Sequence, residues 1–164
     1  MLLELVFVLE AIAEPRLHAD RFLPATPIRL VINHKTENIT DSHPPEAFEG
    51  TLQKGSPYKL SEHPEIAQRT LPSMFTKGSQ LAETEAGAVR ESALKEMQRL
   101  LGHEVQRLET LMRVNDHIRP REIELARAQQ EALAAAIVES RIRLDSARLI
   151  WKGPPEALRA SNPS

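Results

Sequence analysis

The sequence predicts an α+β fold, in which a small antiparallel sheet near the N-terminus is joined to a long antiparallel, coiled-coil-like hairpin of two helices. Two runs of alternating apolar and polar residues in the first fifth of the chain predict the strands. From about residue 79 no proline occurs until Pro120, and Ala, Leu, Glu, Arg and Gln dominate. These residues are strong helix formers, so the chain from about residue 79 onwards is expected to contain the two helices.

These patterns divide the chain into three predicted regions. Residues 1–78 are expected to form the small sheet with an irregular, Pro-rich cover, and residues 79–152 the helical hairpin. Residues 153–164, which follow the helix-stopping sequence Gly-Pro-Pro, are expected to form a flexible tail.

The opening stretch MLLELVFVLEAIAEP resembles a secretory leader only in part. Ala11 and Ala13 fit a cleavage site, but no Lys or Arg precedes the apolar run. Glu4 lies inside that run, where a carboxylate is costly to transfer into a bilayer. The alternation instead predicts a half-buried strand. Because the chain opens directly into structure, we expect Met1 to begin an excised fragment of a longer protein.

The second strand is predicted by the run PIRLVIN, which ends at Asn33. The segment EPRLHADRFLPATP, which leads into this run, contains three prolines, and these confine the backbone and predict a shaped, ordered loop. Residues 34–78 are polar and rich in Pro, Ser, Thr and Gly. A connection of this length is unusual unless it is functional or wraps over the domain, and we expect it to form the cover, with one short helix beginning near Ser61 or Glu62.

Each predicted helix shows one apolar stripe at spacings of three and four residues, and Pro120 suits the first position of the second helix. The first stripe is Leu94, Met97, Leu101, Val105, Leu108 and Met112. The second is Ile123, Ala126, Gln130, Leu133, Ile137, Ser140, Leu144 and Ala147. Residues 149–151 are ambiguous between a last helical turn and a short strand. We favour the strand, because the only tryptophan needs a core to enter.

Composition excludes several classes of function. The chain has no cysteine, which excludes disulfides, Cys-based zinc sites and thiol catalysis. Its net charge of −2 lacks the positive excess of a dedicated nucleic-acid-binding protein. No apolar run reaches the roughly 18 residues of a membrane span, and we expect a cytoplasmic protein without membrane contact.

No motif predicts a catalytic, cofactor-binding or metal-binding residue. The segment GTLQKGS has the frame of a phosphate-binding loop but lacks the lysine that must follow its second glycine. His34, Asp41 and His43 could meet in one loop as metal ligands, although loop histidines are more often solvated. No G-x-S-x-G nucleophile motif occurs.

Two groups of basic residues form the candidate interaction surface, which could face a phosphate backbone or an acidic protein surface. The alternative is that they are ordinary solvated surface. The candidate residues are Arg113, Arg119, Arg121, Arg141, Arg143, Arg148 and Lys152.

Three strings, RFLPATPIRLVIN, VNDHIRP and RLDSARLI, occur in an order and spacing that resemble the C-terminal region of the RapA family. Members of this family are bacterial RNA-polymerase-associated ATPases of the Swi/Snf helicase type. The resemblance covers nearly the whole chain and is weakest between residues 34 and 78. It implies a parent protein that uses ATP and magnesium to recycle RNA polymerase. The chain itself has no GK[ST] or D-E-x-H motif, so no ATPase residue can be carried over.

The resemblance implies a non-catalytic docking or regulatory module. Its expected partners are the other domains of the parent ATPase, RNA polymerase and, through the parent, DNA or RNA. The exposed edge of the N-terminal strand could also pair two isolated fragments into a dimer. The alternatives are a free-standing adaptor that binds a partner protein through its helical hairpin, and a hydrolase with an unrecognised site.

Overall fold

The computed structural model describes residues 1–55, 60, 62–114 and 119–153. It confirms the predicted α+β class, with an antiparallel sheet of three strands and two helices. The strands and helices are β1 (Leu2–Glu10), β2 (Thr26–Asn33), α1 (Leu71–Met112), α2 (Pro120–Val138) and β3 (Arg141–Ile150). No helix within these described ranges is long and apolar enough to span a membrane.

β1 is the central strand of the sheet, which has the order β2-β1-β3. Alternate residues of β1 share one face, and Leu3, Leu5 and Leu9 on one face are almost fully buried. The expectation that β1 offers a free edge for dimerisation is therefore wrong, because β1 has a neighbouring strand on each side.

The outer side of β2 is covered by the chain that follows it. The Ile39 amide donates to the Val31 carbonyl at 2.9 Å, and the Val31 amide donates to Thr40 Oγ1 at 2.9 Å. Ile32 and Asn38 also form an isolated antiparallel bridge. Within the described part of the sheet, β3 is therefore the edge strand that no following segment covers in this way.

The first helix begins earlier than predicted. A π-helical turn, Ile66–Thr70, leads into α1 at Leu71, so the predicted boundary at residues 78 and 79 falls inside this helix. The reason is packing, since Met74, Gly78 and Ala82 already form a buried row with a spacing of four residues. The predicted stripe follows farther along α1, with Met97 and Val105 buried.

α2 begins at Pro120 as predicted and buries Ile123, Leu133 and Ile137. It runs antiparallel to the second half of α1. Three residue pairs show this, because their members occur in opposite order along α1 and along the segment formed by α2 and the residues just after it. These pairs are Arg90 with Ser140, Gly102 with Gln130, and Glu109 with Arg127. The short turns Pro15–Leu17 and Ala19–Arg21 pack against α2.

The prediction that the second helix continues to Ala147 is wrong. α2 ends at Val138, and residues 149–150 of the predicted short strand are the end of the ten-residue strand β3, with Trp151 just after it. Two long-range contacts explain why the chain changes from helix to strand here. β3 pairs with β1. Arg90 donates to the hydroxyl and to the carbonyl of Ser140, just after the end of the helix. Trp151 does not enter a core, since 48% of it is exposed.

The chain divides into two compact units, which are considered separately below. The first unit comprises Met1–Phe7, Ile28–Glu83 and the chain from Leu144, and the second comprises Val8–Pro27 and Thr84–Arg143.

The two glycines Gly78 and Gly87 of α1 predict opposite responses to alanine. A Cβ at Gly78 would overlap the Cδ1 methyl of Leu5, which is fully buried, whereas a Cβ at Gly87 meets nothing within 4 Å. Overpacking a core costs about 1–3 kcal/mol, and alanine in place of glycine gains up to about 1 kcal/mol of helix propensity. In urea unfolding of the full chain, we expect Gly78→Ala to lower the free energy of unfolding and Gly87→Ala to raise it. An equal or higher stability of Gly78→Ala would contradict this packing.

Candidate functional site: the Glu4 cluster and the β3 groove

A buried carboxylate lies in the first unit, on the face of β1 opposite to Leu3 and Leu5. Glu4 is only 7% exposed. Arg29 of β2 donates from Nε to Glu4 Oε1 at 2.7 Å, and Arg148 of β3 donates from Nε to Glu4 Oε2 at 2.6 Å. Side chains on adjacent antiparallel strands meet on the same face, so the central strand holds one acid between a base on each neighbouring strand.

An aromatic ring covers this ion-pair cluster. The guanidinium carbons of Arg29 and Arg148 lie 5.7 and 5.6 Å from the centre of the Phe48 ring, which is buried. Cation–π attraction favours this placement. Arg29 Nη2 is buried and has no hydrogen-bond partner in the described structure.

Beside the cluster, a groove of about 590 Å³ separates residues 51–55 from residues 148–153. We call it the β3 groove, because the end of β3 and the residues after it form one wall. The described lining carries three cations, Lys54, Arg148 and Lys152, and no carboxylate.

The wall beyond β3 is held by two contacts with histidines. Lys152 Nζ donates to His43 Nε2 at 3.1 Å, and the His43 ring stacks on Phe48 with centroids 5.8 Å apart. The Trp151 ring stacks on His63 with centroids 5.7 Å apart. Burial and, to a smaller extent, the charge of Lys152 lower the pKa of the amino group of Met1.

Of the candidate interaction surface predicted from the sequence, the structure brings two residues together, since both Arg148 and Lys152 line the β3 groove. Arg141 and Arg143 lie at the start of β3, and Arg143 pairs with Glu10 at 3.2 Å.

The other three candidates are exposed residues of the second unit. Arg113 follows α1, Arg119 precedes α2, and Arg121 lies in its first turn. The residues between them, 115–118, lie outside the described part of the chain.

The sequence analysis missed four members of the site: Glu4, Arg29, Phe48 and Lys54. Glu4 and Arg29 left a signal, because each is a charged residue inside an otherwise apolar strand pattern and so needs a buried partner. Phe48 and Lys54 left none, because they lie in the long irregular segment.

His34, Asp41 and His43, which could have met in one loop as metal ligands, do not form a metal site. His43 contacts Lys152 and Phe48 as described, and the described residues contain no group of three His, Asp or Glu side chains that could hold a metal ion.

The fold and the site define an α+β module with a basic groove at the edge of its sheet. A family model described as "RNA polymerase recycling family C-terminal" matches residues 1–152, and the chain belongs to this family. It is similar to the RNA polymerase-associated protein RapA of Proteus mirabilis and of Vibrio vulnificus strain YJ016, with 35% identity to each over 150 residues. That stretch is 92% of this chain but only 16% of each relative, so the chain spans about a sixth of their length.

Removing the buried charge of Glu4 should destabilise the chain. Glu4→Gln leaves two guanidiniums without their counter-ion, and breaking a buried pair from one side costs roughly 3 kcal/mol. The matched control is Glu10→Gln, because Glu10 and Arg143 form an exposed pair with side chains 40% and 54% accessible. Such a pair contributes about 1 kcal/mol or less. Urea unfolding of both variants tests this difference, and equal losses would show that the Glu4 cluster stabilises the fold no more than an exposed ion pair does.

Proposed function

We propose that this chain is the non-catalytic C-terminal region of a RapA-like, ATP-dependent RNA polymerase recycling factor, and that it acts there as a docking or regulatory module in the cytoplasm. Family membership supports the first part, and the relatives are named as RNA polymerase-associated proteins. In this proposal, ATP and magnesium bind to the parent protein outside the region that corresponds to this chain.

The observation that carries the docking role is the exposure of β3. Ile150 is its only buried residue, although β3 is ten residues long. Leu144 and Leu149 are 46% and 36% exposed, and Trp151, immediately after the strand, is 48% exposed. An edge strand with exposed apolar side chains is normally covered or blocked in a soluble protein. A surface of this kind supports docking against another part of the parent protein.

A crosslinking experiment in the full-length parent protein tests the docking role. A photoreactive amino acid at Leu149 is expected to crosslink to a segment of the same polypeptide outside the matched region, with or without RNA polymerase. The matched control position is Leu125, an apolar residue of α2 that is 61% exposed, and it should give little product.

The same experiment tests the alternative adaptor function, which the exposure of Leu125 on the helical hairpin favours. If Leu125 crosslinks to a separate protein and Leu149 gives no crosslink, the result would contradict docking through β3 and support the adaptor role. Crosslinks from Leu149 to RNA polymerase alone would overturn docking on the parent and support direct polymerase contact.

A further inference from the structure

We propose that the β3 groove binds a short, extended peptide segment in which acidic residues flank an apolar anchor. This proposal rests on the docking function proposed above and names the chemistry of the docked segment. The groove volume of about 590 Å³ lies within the range of about 300–1,000 Å³ that is usual for ligand sites. It therefore suits a few residues of a peptide.

The charge of the groove favours an acidic segment. Lys54, Arg148 and Lys152 line it, and its described lining contains no carboxylate. Glu4, the acid that contacts Arg148, is already shared by two guanidiniums, so two positive charges and one negative charge leave the cluster at +1. The side chain of Arg148 remains half exposed while it pairs with Glu4. Its exposed part presents positive charge to the groove.

Two of these cations are held in place before any ligand binds. Arg148 is fixed by Glu4, and Lys152 is fixed by donating to His43. Fixing a side chain in advance lowers the entropy that is lost on binding. The groove is therefore organised to receive an anion at the end of β3.

The apolar part of the lining defines the anchor. Leu52, Leu149 and Trp151 are 38%, 36% and 48% exposed, and all three line the groove. Trp151 keeps this exposure while it stacks on His63. An apolar side chain on the docked segment would remove these surfaces from water, which is favourable in proportion to the area buried.

The same features disfavour a nucleic acid. Affinity for nucleic acid comes mainly from many phosphate contacts spread along a basic surface. Here three cations line one groove of a chain whose net charge is −2. The three exposed apolar side chains that line the same groove match a peptide better than a phosphate backbone.

The single tryptophan makes the test direct, since Trp151 is the only tryptophan of the chain and lies in the groove. The full chain is titrated with the peptide acetyl-Glu-Glu-Leu-Phe-Glu-Glu-amide, while the emission of Trp151 is followed. The comparison probes are the same peptide with lysine in place of every glutamate, and a single-stranded oligothymidine. We expect saturable binding of the acidic peptide and no saturable change with the lysine peptide.

Two variants assign the binding to the groove. Lys54→Glu/Lys152→Glu should raise the dissociation constant at least about tenfold, because two attractions become repulsions. Lys35→Glu, in the exposed turn after β2, should change it less than about twofold. Circular dichroism checks that the variants are folded, and Lys54→Gln/Lys152→Gln gives a milder test if the double reversal does not fold.

Three results would overturn the proposal: no change of Trp151 emission with the acidic peptide, equal binding by the groove variant and the Lys35→Glu control, or tighter binding of oligothymidine than of the peptide. The titration uses this chain alone, so it can fail while crosslinks from Leu149 still show docking on the parent. In that case the docking role stands and the acidic chemistry of the segment is wrong.

Discussion

The sharing of one buried carboxylate between two arginines is the constraint on which the first unit depends. Glu4 lies on the central strand, and Arg29 and Arg148 come from the strands on either side. A charge in this position is costly unless it is paired on the same face. The pairing therefore favours one register of each outer strand relative to β1, since a shift by one residue would turn a guanidinium to the opposite face.

This arrangement also links the interior of the sheet to the surface at the end of β3. Arg148 contacts Glu4 and Phe48 on one side and lines the β3 groove on the other. Lys152, four residues farther on, reaches His43, which stacks on the same Phe48. The groove therefore has its cations held by the elements that stabilise the fold.

The sequence predicted the elements whose secondary structure follows from local patterns. The prediction was wrong where contacts between distant parts of the chain determine the secondary structure. The apolar stripe of α2, with Ile123, Leu133 and Ile137, and its start at Pro120 could be read from spacing alone. The residues of β3 continue a helical pattern as far as Ala147, and only pairing with β1 makes them a strand. The groove could not be predicted, because its walls near Lys54 and Lys152 are far apart in sequence and no local pattern joins them.

β3 is exposed because its backbone is paired while most of its side chains are not covered. Its pairing with β1 satisfies one side of its backbone, and Ile150 alone is buried, beside Leu2, Val31 and Phe48. The strand is therefore held at its C-terminal end by the core and the Glu4 cluster, while Leu144 and Leu149 remain exposed. A strand fixed by its own domain but incompletely covered by it is already ordered before a partner arrives. Docking against it then requires little ordering of this chain, and the entropy lost on binding falls mainly on the incoming segment.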